Sequence, residues 1–115
     1  MFMTLEQLHQ TYREAMNLSL SVDQMIMRGE SIDQARVVMS EALGKMSLCA
    51  ECLRDKLDCQ PTRAVIFRSL GSMYMRFSMY DKAIKTFREA LVGCLDGYEK
   101  DVIDELIEEC QDEIN

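Results

Sequence analysis

Through the first quarter of the chain, apolar and small residues return at alternating steps of three and four: Leu5, Leu8, Tyr12, Ala15, Ser19, Val22 and Ile26. With about 3.6 residues per helical turn, such positions share one stripe. The spacing predicts a helix from about Thr4 to Met27. Gly29 supplies a stop, and Ser31 with Gln34 three residues later reads as a capping box for the next helix. The turn between them is short, so these helices are expected to run antiparallel.

The second helix carries Ala35, Met39, Ala42, Met46, Cys49 and Leu53 on one stripe, widened by Val38, Leu43 and Leu57. It ends at DCQP, where Pro61 suits the first turn of a third helix because its missing N–H is no loss there. The third helix is predicted from Pro61 to about Phe77. Ser78 with Asp81 gives a capping signature for a fourth, about Met79 to Leu95, and Asp96 with Glu99 gives another for a last helix. That segment places Val102, Ile103, Leu106, Ile107, Cys110 and Ile114 on one face and acids on the other. No convincing strand is present. The expectation is an all-α protein of about five helices: a long hairpin over 4–58, a shorter one over 61–97, and a covering helix over 98–114.

At 115 residues the chain is long enough for one core and too short for two independent ones, so a single domain is expected over 1–115. One Pro and five Gly leave few interruptions to helix. There is no basic residue before Arg13 and no uninterrupted apolar block, which argues against a secretory signal or a membrane span and for a cytoplasmic protein. Five cysteines, an odd number spread over helical segments, read as reduced, mostly buried thiols.

The net charge of −7 disfavours nucleic acid and anionic lipid as partners. Its distribution is uneven. Arg63, Arg68, Arg76, Lys82, Lys85 and Arg88 face only Asp81 between positions 63 and 88, an excess of 6 − 1 = +5; from Glu89 onward ten acids face Lys100, giving −9.

Candidate chemistry is sparse. Cys49 and Cys52 form a CxxC, but no second ligand pair accompanies it, and His9 is the one histidine. No metal site or cofactor is expected. Phosphate-binding glycine loops, nucleophile elbows and Cys–His pairs are missing, and Glu105, Glu108, Glu109 and Asp112 read as a solvated helix face. The pattern points away from an enzyme.

Within FRSLGSMYMRFSMYDKAIKTFREAL, ten positions fall in one register: Phe67, Leu70, Gly71, Tyr74, Tyr80, Ala83, Ile84, Phe87, Ala90 and Leu91. This resembles the tetratricopeptide repeat, a helix-turn-helix unit of about 34 residues. Small residues at Gly71, Ala83 and Ala90 let two helices approach, and the large ones fill the space around them. The likeness spans Ala64 to about Gly97, with Ser78 where the family usually has a turn Gly and Leu95 where it usually has Pro. Asp33 to Leu43 looks like the second helix of another, degenerate and elongated unit.

The resemblance implies antiparallel hairpins stacked as a right-handed superhelix, flanked by the long hairpin and the acidic last helix. It also implies a non-catalytic protein–protein interaction module, with Val65, Arg68, Ser72, Met75 and Arg76 lining a groove for an acidic or amphipathic peptide or helix. Members that clamp a terminal carboxylate use Lys and Asn at such positions; Ser72 departs from that pattern. Arg68 and Arg76 could instead pair with the acidic last helix. A second reading is a structural homodimer formed through the N-terminal hairpin, and a third a metal- or redox-responsive regulator.

Overall fold

The structure, a computed structural model, describes residues 3–115. It is all-helical among these residues: α1 (Leu5–Met27), α2 (Ile32–Leu53), α3 (Thr62–Arg76), α4 (Tyr80–Leu91) and α5 (Gly97–Ile114). The chain forms two compact units, one ending at Glu51 and the other running from Cys52 to Asn115.

The first unit is the α1/α2 hairpin. Thr4 caps α1 through a reciprocal box with Gln7: the Gln7 N–H donates to Thr4 Oγ1 at 3.1 Å, and the Thr4 N–H to Gln7 Oε1 at 2.9 Å. At the other end Gly29 takes φ +75°, and the Glu30 N–H reaches back to the Met25 carbonyl at 3.0 Å. With Gly29 N–H on the Ile26 carbonyl at 3.1 Å this is a full Schellman closure, which turns the chain sharply. Antiparallel pairing is fixed by two ties, Lys45 Nζ to Glu14 Oε2 at 2.9 Å and the Cys49 thiol to the Leu8 carbonyl at 3.7 Å. The hydrogen bond to Lys45, and then its charge, hold Glu14 below the usual carboxylate range, while Lys45 is raised by the same contact.

All six residues of the predicted α2 stripe are buried, whereas α1 buries Leu8, Ala15, Ser19 and Val22 and leaves Leu5 and Ile26 exposed. Those two lie in the terminal turns of α1, where a hairpin has least cover. α2 stops at Leu53, so Leu57 falls in the following turns and is also exposed.

In the second unit α3 packs most extensively on α4, and α5 lies chiefly along α4. The approach of α3 to α4 is set by Gly71. A β-carbon there would stand 2.5 Å from Phe87 Cε1 and 2.6 Å from Cδ1, well inside contact distance. The Phe87 ring is fully buried against this glycine, among buried Phe67, Leu70, Ala83, Ile84 and Ala90. Tyr74, Tyr80 and Leu91 are half-buried.

The turn between α3 and α4 departs from the sequence expectation. Ser78 does not cap α4, whose N-cap is Met79 with no side-chain hydrogen bond. Ser78 instead ends α3 in the left-handed region at φ 61°, donating its N–H to the Met75 carbonyl at 3.0 Å, while Met79 N–H reaches the Tyr74 carbonyl at 2.9 Å. This is the Schellman geometry of Gly29 on a residue with a β-carbon, so the demand of the C-terminal turn overrides the capping preference of the hydroxyl. Asp96 does cap α5, accepting from the Glu99 N–H at 3.0 Å. On α5 Ile103 and Cys110 are buried, but Ile114, expected on the same face, is exposed in the last turn.

Two substitutions test these backbone demands. Ala at a helix interior ordinarily gains about 1 kcal/mol over Gly, but Gly71→Ala forces a methyl into the Phe87 ring, an overpacking cost of about 1–3 kcal/mol. A net loss is expected in chemical denaturation, reversed in combination with Phe87→Leu. Ser78→Gly removes the left-handed penalty and is expected to raise stability by about 1 kcal/mol on the same measurement.

Candidate functional site

The side chains expected to line a cationic groove do not stand together as a set of open positive charges. Val65 and Ser72 are half-buried on α3, and Arg76 is exposed near its end. Arg68 is engaged within the chain: its Nε donates to Glu99 Oε1 in the first turn of α5, and the Glu99 side chain is only 13% exposed. An acidic guest at Arg68 would have to displace this carboxylate. The Asp96 cap starts α5 where its first turn meets α3, so the helix supplies its own counter-ion.

Arg63 is further removed from the surface. Its side chain is fully buried. Nε donates to the Arg54 carbonyl at 3.0 Å, and Nη1 to the carbonyls of Glu89 at 2.8 Å and Val92 at 3.1 Å. Nη2 meets Glu89 Oε1 at 2.7 Å, and the guanidinium carbon lies 4.7 Å from the centre of the Phe67 ring. One planar group thus satisfies carbonyls at the C-terminal end of α4 and just past the end of α2, where helices leave acceptors and negative dipole ends. Arg54 adds a second guanidinium 5.4 Å from the Phe67 ring centre and 3.7 Å from Glu89 Oε1. Gln60 completes the corner, accepting from the Ala64 N–H at 3.2 Å and donating to the Val92 carbonyl at 3.4 Å.

The apparent excess of +5 between positions 63 and 88 is therefore partly internal. Lys82, Lys85 and Arg88 are exposed along α4, and Lys82 Nζ stands 5.9 Å from the Tyr74 ring centre. On α5 the carboxylates of Glu105, Glu108, Glu109, Asp112 and Glu113 are exposed and form no ion pair among the described residues. The last turn of α5 contains no basic residue. Like charges at i and i+4 repel, and acids at a C-terminus oppose the helix dipole, so this face carries uncompensated negative potential.

Met75 and Tyr80 meet that face. Together with Glu109, Asp112 and Glu113 they line an open recess of about 370 Å³. Of the five residues expected to contact a partner, Met75 is the one on this recess. Cys110 follows Glu109 in the chain and is buried; burial pushes its thiol up, with the Glu109 charge acting in the same direction. Cys49 is buried and Cys52 half-buried, and among the described residues no three His, Cys, Asp or Glu groups gather as metal ligands. No helix of the described residues is long and apolar enough to cross a membrane.

Sequence reasoning passed over Arg63, counting it with the surface cations. A signal was present: Arg63 precedes Phe67 by four residues and Leu70 by seven, which puts it on the apolar stripe of α3. No family model, curated protein or solved structure matches this chain. Fold and site therefore define it only as an all-helical protein with an acidic, aromatic-backed recess.

Arg63→Lys keeps the charge but cannot reproduce a planar fork that reaches four acceptors. It is expected to cost about 2–3 kcal/mol in chemical denaturation, since carbonyls at two helix ends lose their donors. Arg88→Lys, on the exposed face of α4, is expected to leave the midpoint unchanged.

Proposed function

We propose that the chain is a non-catalytic protein–protein interaction module: a tetratricopeptide-like hairpin, α3/α4, with α5 as its covering helix. Its guest is an amphipathic segment bearing basic side chains. The observation that carries this reading is the recess where Met75 and Tyr80 form an apolar wall and Glu109, Asp112 and Glu113 an acidic rim. Met adapts to irregular apolar surfaces, and Tyr offers a ring face to a cation. The charge of the guest is thus the reverse of that expected from Arg68 and Arg76, because Glu99 already occupies Arg68. A helix laid across the recess would anchor one apolar residue on Met75 and Tyr80 while its basic flank relieves the repulsion along α5.

The test compares two fluorescent amphipathic peptides with the same apolar face, one flanked by Lys and the other by Glu, in anisotropy titrations against the whole protein. The Lys peptide is expected to bind, with affinity falling as salt rises. Glu109→Lys combined with Asp112→Lys is expected to weaken it about tenfold, two rim charges at roughly 0.7 kcal/mol each. Equal or tighter binding of the Glu peptide, or indifference of the Lys peptide to the double reversal, contradicts the reading.

A further inference from the structure

α1 has three faces. Leu8, Ala15, Ser19 and Val22 form the buried stripe, and Glu6, Gln10, Arg13, Glu14 and Asn17 line a polar flank. The third face is apolar and exposed: Leu5 is 69% accessible, Met16 41%, Leu20 57% and Met27 87%. Half-buried Tyr12 and exposed His9 and Asp23 lie on the same line. At about 100° per residue this stripe sits roughly a quarter turn from the buried one.

Its order along the helix is self-complementary. Positions 5, 9, 12, 16, 20, 23 and 27 are symmetric about Met16, since each pair sums to 32. Antiparallel pairing with a second copy about a two-fold axis at Met16 therefore sets Leu5 against Met27, Tyr12 against Leu20 and Met16 against itself. It also sets His9 against Asp23, an imidazole beside a carboxylate that can accept its N–H, at each end of the apolar centre. No like charges face one another in this register: Glu6 comes level with Ile26, Arg13 with Ser19 and Glu14 with Leu18. The steps of 4, 3, 4, 4, 3 and 4 repeat every 11 residues, at Leu5, Met16 and Met27. That period is close to the natural turn of a straight helix, so two copies stay in register along their length without strong supercoiling.

We infer that α1 docks on a second copy of this chain, antiparallel and centred on Met16, burying the Leu5–Met27 stripe. The interface is isologous, and Leu20 and Met16 form its apolar middle. It uses residues of α1 alone, none of which lines the recess on α3, α4 and α5, so the dimer and the peptide-binding reading are tested by different variants.

The experiment is sedimentation equilibrium of the full chain in reductant. A mass of twice 13.3 kDa is expected, falling to 13.3 kDa for Met16→Glu with unchanged helical circular dichroism. Orientation is read by oxidative cross-linking in a Cys52→Ser, Cys59→Ser background. Met16→Cys is expected to link to itself, and Leu5→Cys to link to Met27→Cys but not to itself. A monomer at every concentration, a dimer that survives Met16→Glu, or Leu5→Cys linking to itself overturns the inference.

Discussion

The second unit depends on the absence of one methyl group. At Gly71 the Phe87 ring occupies the space that any other residue's β-carbon would fill, and this lets α3 and α4 close on each other along their length. Ala83 and Ala90, both fully buried, extend the same economy of volume on α4. Close approach buries Phe67, Leu70, Ile84 and Phe87, the condition under which dispersion and burial add up. The course of α5 follows from this, since it lies chiefly along α4 and also touches α3.

Closing the hairpin brings helix ends together, and helix ends carry unsatisfied carbonyls. Arg63 resolves this at one corner by spanning the terminus of α4 and the chain beyond α2, stacked on Phe67 and paired with Glu89. A buried ion pair adds little net stability compared with an apolar substitute, but removing one partner leaves the other polar groups unsatisfied, which is costly. Electrostatics then divides the unit into two regions. Arg63 and Arg68 are neutralised internally by Glu89 and Glu99, while the far end of α5 keeps its carboxylates exposed beside Met75 and Tyr80. The basic look of the middle of the sequence becomes, at the recess, an acidic surface.

Periodicity made the helices legible. Every residue of the α2 stripe from Ala35 to Leu53 is buried, because a mid-helix stripe at steps of three and four has only one way to face a core. Gly29 was readable because a positive φ and a glycine belong together. The same logic failed at Ser78, where a hydroxyl that suits an N-cap occupies a left-handed C-terminal position and only the backbone reveals it. The ends of stripes also misled: Leu5, Ile26 and Ile114 share phase with buried residues yet lie in terminal turns. Leu5 belongs equally to the exposed line through Met16. Charge pairing was least legible, since Arg63 meets Glu89 across 26 positions and Arg68 meets Glu99 across 31. Composition counts such charges but does not assign their partners; of the two readings open for Arg68, the structure shows the pairing with the last helix.

The core and the recess of the second unit both require the nesting of α3 and α4, which a through-space proton measurement reads without altering the chain. In a nuclear Overhauser spectrum of the labelled protein, the Gly71 α-protons are expected to show strong cross-peaks to the Phe87 ring protons and to be displaced from their ordinary position by its ring current. Gly71 α-protons at an unperturbed shift, with no cross-peak to Phe87, would contradict the nested hairpin and with it the recess that α5 closes.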